Sequence, residues 1–550
     1  MSPATPRSPA RGPLLLLGLG LFLLLGTFAH GYVENTDGEA SLHAARALWQ
    51  RGDLGLRADA ADGWEAERAI AAGRHYGMAG RNGAHYLWFP VGHQLLLVPC
   101  VAAGELLARW MPGPEAALRA RLGPLWGEIF WARFLASFLP VLAAAGAALM
   151  LHRIAHGILG THREALLVMA VAVGATQFLP GSSETLSDMP GTFLLLACAA
   201  LVFDHHAGRG AWWTAFLAGV LGGLAVLVRY PHAVPVAVLG ILLLRGARGR
   251  ARLRDGLGFV LGGLPALAVL LAANWLRFGD LLETGYSAGA NAANLSFPLW
   301  LGVPLILLAP GKGALWFSPP LWLALGLALR RLRQGVVLAA LAMLVLPLLV
   351  AGRSASWAAG QCWGIRYVTP SVVLLLCVVF ATARPWRHWP KTFAGLALLG
   401  CLVSLGGVLA PYRGHQQLAH EAARVVYAAE LARGEVTEGL LPDRYHVHPR
   451  FSPLHTHWIY AGLNLGGRMA LGGAANTTLP LFGVEVPGPV RPAHEADLGF
   501  RHWWMRYVGL VGGPGALWLF LPWAAATLLC LVLAVRRLCA IDRAALTPST

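Results

Sequence analysis

Acidic residues are scarce in this chain, and their positions are the first clue to chemistry. Of 27 Asp and Glu, eight lie in residues 31–87, eight in 412–506 and two in 277–313. The first group opens with Glu34-Asn35-Thr36-Asp37-Gly38-Glu39, directly after an apolar run, and continues into Ala40–Gln50, where Leu42, Ala45 and Trp49 recur at helical spacing. This pattern predicts a short amphipathic surface helix that holds Asp37 and Glu39 at the membrane–water interface. A carboxylate at that height can take a proton from a hydroxyl on a lipid head group. The same residues also read as a helix start, with Asp37 as cap and Glu39 meeting the helix dipole. A second acidic pair sits in Glu184-Thr185-Leu186-Ser187-Asp188-Met189-Pro190, between two apolar runs. Proline suits a first helical turn, so capping competes with a site role for Glu184 and Asp188 too.

A second set of candidates is cationic. Lys312 stands between Gly311 and Gly313, and Arg366 lies in Trp363-Gly364-Ile365-Arg366-Tyr367. Both fall in expected loops close to span ends, where fixed positive charge could neutralise an anionic group. The flanking glycines would let backbone amides approach it at Lys312. Snorkelling to lipid head groups is the alternative for both. Arg229 ends the glycine-rich run Gly223–Val228 ahead of Tyr230-Pro231, and an arginine so close to an apolar run is costly enough to suggest function. The pairs His446/His448 and His455/His457 alternate as on one strand face, yet a solvated loop explains them more simply than a metal site, and no metal is expected. Asn294-Leu295-Ser296 and Asn476-Thr477-Thr478 match the N-glycosylation acceptor pattern.

What must position these groups is a membrane bundle. The chain has 550 residues, 56% hydrophobic and 13% charged, with a mean hydropathy of +0.57. Those values exclude a soluble protein, and runs of about 20 apolar residues, each enough to cross a bilayer, recur from Leu14 to Arg537. The expected fold is an all-α polytopic membrane protein with about 12 or 13 crossings. The net charge of +16 comes with no aromatic-spaced basic stripe, so the basic residues read as topology signals and not as a nucleic-acid surface. The first run, Leu14–His30, follows Arg7 and Arg11 and lacks a small-residue cleavage site, which suggests an uncleaved span with a cytosolic amino terminus. Seven cysteines show neither a disulfide framework nor metal spacing.

The clusters Arg245–Arg254, Arg330–Arg333, Arg384–Lys391 and Arg536/Arg537 should be cytosolic. Residues 31–88 then form a large outer loop within a multi-span domain of residues 1–411, followed by an outer module of 412–506 and a final helix with a cytosolic tail in 507–550. Pro298–Pro310 is too short for a span and fits a re-entrant or interfacial segment. Parity fails once between Leu87 and Arg245. Either Trp212–Leu244 is one broken crossing, or the region from Leu87 to Leu151 holds an extra turn.

The Thr36-Asp37-Gly38-Glu39 element, Ala45-Arg46-Ala47-Leu48, Gly52-Asp53-Leu54 and Tyr86-Leu87-Trp88-Phe89-Pro90-Val91-Gly92 resemble the C-type superfamily of membrane glycosyltransferases, close to the protein O-mannosyltransferase and lipid A aminoarabinose transferase family. Glu184–Pro190, Gly223–Arg229, Asn274–Asp280 with Gly285-Tyr286, Pro310–Gly313 and Trp363–Tyr367 extend the resemblance in order and spacing over roughly residues 14–412. It implies a GT-C-like fold, a polyprenyl-phosphate-linked sugar donor, a lipid, protein or glycan acceptor and no cofactor. It makes Asp37 the base or electrostatic partner of the acceptor, with Asp188 as the second acid. Glu39, Glu184, Arg229, Lys312 and Arg366 would serve substrate binding, and the location would be a bacterial inner membrane. Two departures stand out. Trp88-Phe89-Pro90-Val91 lacks the cation and second proline that hold the lipid phosphate in relatives, and Gly38 replaces the acid that follows Asp37 in the mannosyltransferases. A glycolipid flippase and an inactive envelope-assembly scaffold are the competing classes.

Overall fold

The computed structural model describes residues 10–33, 35–59, 65–73, 76–122, 129–246, 249–286, 295–410, 412–465, 482–483, 502–504, 518 and 520–546. Its apolar runs are helical, the arrangement that satisfies backbone N–H and C=O groups where water is excluded. The principal helices are α1 (Arg11–Gly26), α2 (Thr36–Arg51), α3 (Val91–Trp110), α4 (Phe130–Leu159), α5 (His162–Gly174), α6 (Asp188–His206), α7 (Trp212–Val228), α8 (Ala233–Gly246) and α9 (Gly249–Phe278). They are followed by α10 (Gly335–Ala351), α11 (Thr369–Ala383), α12 (Pro390–Leu409), α13 (Tyr412–Val426) and α14 (Phe520–Leu546). Among the described residues, seven helices are long and apolar enough to cross a membrane, and six apolar helices are shorter. The protein is an all-α polytopic membrane protein. A small antiparallel hairpin, Gly77–Ala79 with His85–Leu87, joins α2 to α3.

The contacts sort the bundle into two ends. At one, Gly157 packs on Asp204 and Arg209, Gly246 on His206, and Gly335 lies beside His206. Arg384 donates to the Leu159 carbonyl, Arg387 pairs with Glu164, and Asp542 accepts from the backbone N–H of His162 and Arg163. The basic clusters near 245–254, 330–333, 384–391 and 536–537 therefore share this end. The candidate acids and cations gather at the other.

This arrangement accounts for the parity failure. Arg229, just after α7, reaches Asp188 at the start of α6, whereas Gly246, ending α8, packs on His206 at the end of α6. α7 and α8 are thus two antiparallel passes, not one broken crossing. The correction falls on α3, whose apolar run reads as a crossing in sequence. Its Gly92 packs on Leu227 and Val228, and its Gly104 on Ala132. Trp49 and Gln50, at the end of α2, hydrogen-bond to Glu105. Both ends of α3 meet the site end of the bundle, so α3 runs along α2 there instead of passing between ends. Hydropathy registers apolarity and length but not direction.

α7 and α9 lie in close contact because Gly219 and Gly262 leave no side chain between them. A Cβ at either position would run into the Phe259 or Phe216 carbonyl of the other helix. The helix Leu299–Leu308 has ten residues, about 15 Å of rise against a hydrocarbon core of about 30 Å. Its Gly302 packs on Gly352, at the site end. Beyond residue 411 the described chain is helical, with α13, Leu441–Val447 and Pro453–Leu465 around Leu418, Ala422, Leu441, Tyr445, Phe451 and Tyr460. His446 and His457 are therefore helical and buried, while His448 and His455 are exposed. The strand face expected from their alternation is absent there. Asn294, Asn476 and much of residues 466–506 lie outside the described residues.

Candidate functional site

The local question at α2 is what caps it. Asn35 does: its side-chain oxygen accepts the Gly38 N–H at 2.6 Å, and its amide reaches Thr185 Oγ1 at 3.3 Å. Asp37 is therefore not the cap, and its carboxylate is left for other partners. Gly38 lies so close to the Thr185 carbonyl that a Cβ would collide with it. The start of α2 is thus pressed onto the loop carrying Glu184 and Asp188. At the second acid the outcome is similar. α6 begins at Asp188, and Ser187 before it makes no side-chain capping bond.

The freed carboxylates meet two guanidiniums. Arg366 Nη2 lies 3.3 Å from Asp37 Oδ2, Arg366 Nη1 lies 3.7 Å from Asp188 Oδ2, and Arg229 Nη1 lies 2.7 Å from the same oxygen. The order is Asp37, Arg366, Asp188, Arg229, with alternating charge and no net charge. Both Asp188 oxygens are buried, and neither receives an aligned hydrogen bond among the described residues. Acceptor capacity is left over. Asp37 is the most open member, its side chain 28% exposed against 11% for Asp188. Tyr367 lies under both cations, its ring centroid 5.8 Å from Arg229 and 6.0 Å from Arg366. An aromatic wall borders the cluster, with Tyr286 stacked on Trp88 at 6.1 Å and edge-on to Tyr230 at 6.2 Å.

The remaining sequence candidates lie nearby but are engaged differently. Lys312 is fully buried. Its ammonium donates to the carbonyls of Gly360, at 2.8 Å, and Cys362, approaches Cys362 Sγ at 3.8 Å and faces the Tyr412 ring at 4.6 Å. Burial pushes its amine below the usual lysine range. The expected phosphate contact is thus not what this ammonium presents, because backbone carbonyls and a ring already enclose it. Glu184 accepts the Trp363 N–H at 3.0 Å, inside the same loop. Glu39 is joined by Arg133 and His43. Burial alone would raise its pKa, but Arg133 and His43 outweigh it and hold the carboxyl well below the usual carboxylate range. Of the seven candidates, Asp37, Asp188, Arg229 and Arg366 form one cluster. Lys312 and Glu184 hold the loop that leads to Arg366, and Glu39 ties α2 to α4.

Sequence reasoning did not single out Gln177, Tyr367 or Tyr286 as site residues. Gln177 had a usable signal, since an amide inside an apolar run must find partners or carry a desolvation cost.

No protein-family model matches the chain, and no curated protein matches it. Among solved structures, it is similar to ArnT from Cupriavidus metallidurans bound to undecaprenyl phosphate, at 15% identity and a TM-score of 0.46, over 88% of this chain and 86% of that one. The apo form of the same protein gives 15% identity and a TM-score of 0.44 over the same shares. The archaeal oligosaccharyltransferase AglB from Archaeoglobus fulgidus, in complex with an inhibitory peptide and a dolichol-phosphate, gives 12% and 0.38, over 82% of this chain and 63% of that one.

Proposed function

We propose that this protein is a membrane glycosyltransferase that moves a sugar from a polyprenyl-phosphate donor to a hydroxyl acceptor at the outer face of a bacterial inner membrane. The observation that carries this reading is the alternating cluster, in which Asp37 is released from capping by Asn35 and left as the most open acid. Arg229 and Arg366 supply two planar guanidiniums suited to paired contacts with phosphate oxygens. On donor binding, the phosphate would compete with the carboxylates for these cations. Asp37, eased from Arg366, would take the acceptor proton as the acceptor oxygen bonds to the anomeric carbon and the bond from that carbon to the phosphate oxygen breaks. The lipid phosphate would leave with its charge met by Arg229 and Arg366, and attack opposite the leaving group would invert the anomeric centre.

The sidedness rests on the basic clusters at the opposite end of the bundle, which the positive-inside rule assigns to the cytosol. In this reading residues 1–411 are the catalytic bundle with its outer loop 31–88, residues 412–506 an outer module beside the acceptor path, and residues 507–550 the last helix and tail. Lipid, protein and glycan hydroxyls are the acceptor classes.

Membranes carrying the wild type, supplied with a labelled polyprenyl-phosphate sugar, should pass label to an acceptor and release free polyprenyl phosphate. Label transfer no greater than in empty membranes, across lipid, protein and glycan fractions, would contradict the proposal.

A further inference from the structure

Gln177 follows α5 by three residues and is 2% exposed. Its carboxamide is fully engaged. Nε2 donates to the Ile365 carbonyl at 2.7 Å and to Thr369 Oγ1 at 3.0 Å, and Oε1 accepts the Ile365 N–H at 3.1 Å. Its own backbone N–H donates to Ser318 Oγ at 3.2 Å. The residues it grips bracket a single 3-10 turn, Arg366–Val368, the turn that presents Arg366. One side chain thus takes both backbone polar groups of Ile365, the residue before the arginine, and the hydroxyl after the turn.

We infer that Gln177 is a positioning residue for transfer, fixing the turn so that the Arg366 guanidinium stands between Asp37 and Asp188. The inference rests on the proposed function, since it assigns Arg366 a task on the donor phosphate. Among the hydrogen bonds described for the rest of the loop, Lys312 grips Gly360 and Cys362 and Glu184 grips Trp363. A long arginine can swing through several ångströms when its turn is loose, so control of both backbone groups of the preceding residue limits where its charge goes.

The test is a double-mutant cycle on binding of undecaprenyl phosphate to the full-length protein in nanodiscs, paired with transfer assays. Gln177→Met should weaken binding about tenfold in the wild-type background and less than about twofold once Arg366 is alanine, because residues acting through one group are non-additive. Thermal unfolding of the same samples reports any general loss of packing. Should Gln177→Met fail to fold, Gln177→Glu keeps the acceptor for the Ile365 N–H and, when ionised, loses the amide donors. It should show the same dependence on Arg366. Equal weakening in both backgrounds would make Gln177 a packing residue only, and unchanged binding in the wild-type background would overturn the inference outright. If wild type binds undecaprenyl phosphate no better than Arg366→Ala, the assignment of Arg366 fails first and the inference falls with it. That pattern differs from either of the others.

Discussion

Lys312 and Arg366 are neighbouring cations at one end of the bundle, held in opposite ways. Lys312 spends its ammonium on the Gly360 and Cys362 carbonyls and the Tyr412 ring, and no carboxylate touches it at ion-pair distance among the described residues. Arg366 stands between two carboxylates at 3.3 and 3.7 Å, in a cluster where Asp188 keeps unused acceptor capacity. A cation bound to its own backbone has no exchangeable partner, so it stabilises a loop. A cation shared by acids can be claimed by a competing anion. Charge type alone does not separate the two, but partner type does.

The largest effect is expected at Asp37, the acid beside Arg366. Asp37→Asn should cut transfer by about 10²–10⁴-fold, the usual scale for a lost general base, while undecaprenyl phosphate still binds. Loss of lipid-phosphate binding together with transfer would show Asp37 acting on the donor instead.

Lys312→Met should act on stability. It removes charge-assisted bonds to two carbonyls and leaves those acceptors buried, a cost of about 2–4 kcal/mol. Thermal unfolding should drop sharply, with phosphate affinity per folded molecule unchanged. Arg366→Lys should do the reverse, keeping the unfolding temperature and losing phosphate affinity, since a point charge does not reproduce the fork. An affinity loss in Lys312→Met larger than in Arg366→Lys would collapse the distinction between the two cations.

Gly38→Ala tests the seating of the acid. An added Cβ meets the Thr185 carbonyl, so α2 must shift away from the loop that carries Asp188. Transfer should fall about 10- to 100-fold, in line with a displacement of about 1 Å at a reacting group. Activity equal to wild type would show that this contact does not set the position of Asp37.

The smallest effect concerns the surroundings of Lys312. Burial, with His455 and Lys312 adding to it, lowers the pKa of His415 to about 3, and burial followed by the Lys312 and His415 charges drives His446 well below its usual value. The folded pKa of His415 lies below the unfolded value of 6.5, so the unfolded chain takes up the proton first. Its stability contribution is complete above about pH 6.5 and declines as pH falls toward 3, by up to about 1.4 kcal/mol per unit. Unfolding temperature should drop between pH 7.5 and 5.5, and drop less in His415→Asn. An identical pH slope in the variant would remove His415 from this role.

Several of these features were legible in the sequence, for identifiable reasons. The surface helix at 36–51 was readable because Leu42, Ala45 and Trp49 keep helical spacing directly after an acid and a membrane exit. Asp188 and Arg229 were each noticeable as charges at the edge of apolar runs. Their pairing was not, since it depends on the antiparallel return of α7 along α6. Lys312 misled because flanking glycines suit a phosphate nest, while the ring and carbonyls that enclose it come from residues 360–412, far along the chain. α3 misled because its length and hydropathy match a crossing, and only its contacts with Leu227, Ala132 and α2 reveal where it lies. The α2 cap was misassigned: the sequence reading gave the role to Asp37, whereas the side chain two residues earlier, Asn35, takes it.

The most direct test is sugar transfer from a labelled polyprenyl-phosphate donor, measured in membranes with matched amounts of wild type and Asp37→Asn and read beside undecaprenyl phosphate binding to each. Transfer should disappear in the variant while binding persists. Equal transfer from both would contradict this, reducing Asp37 to a surface acid on an interfacial helix.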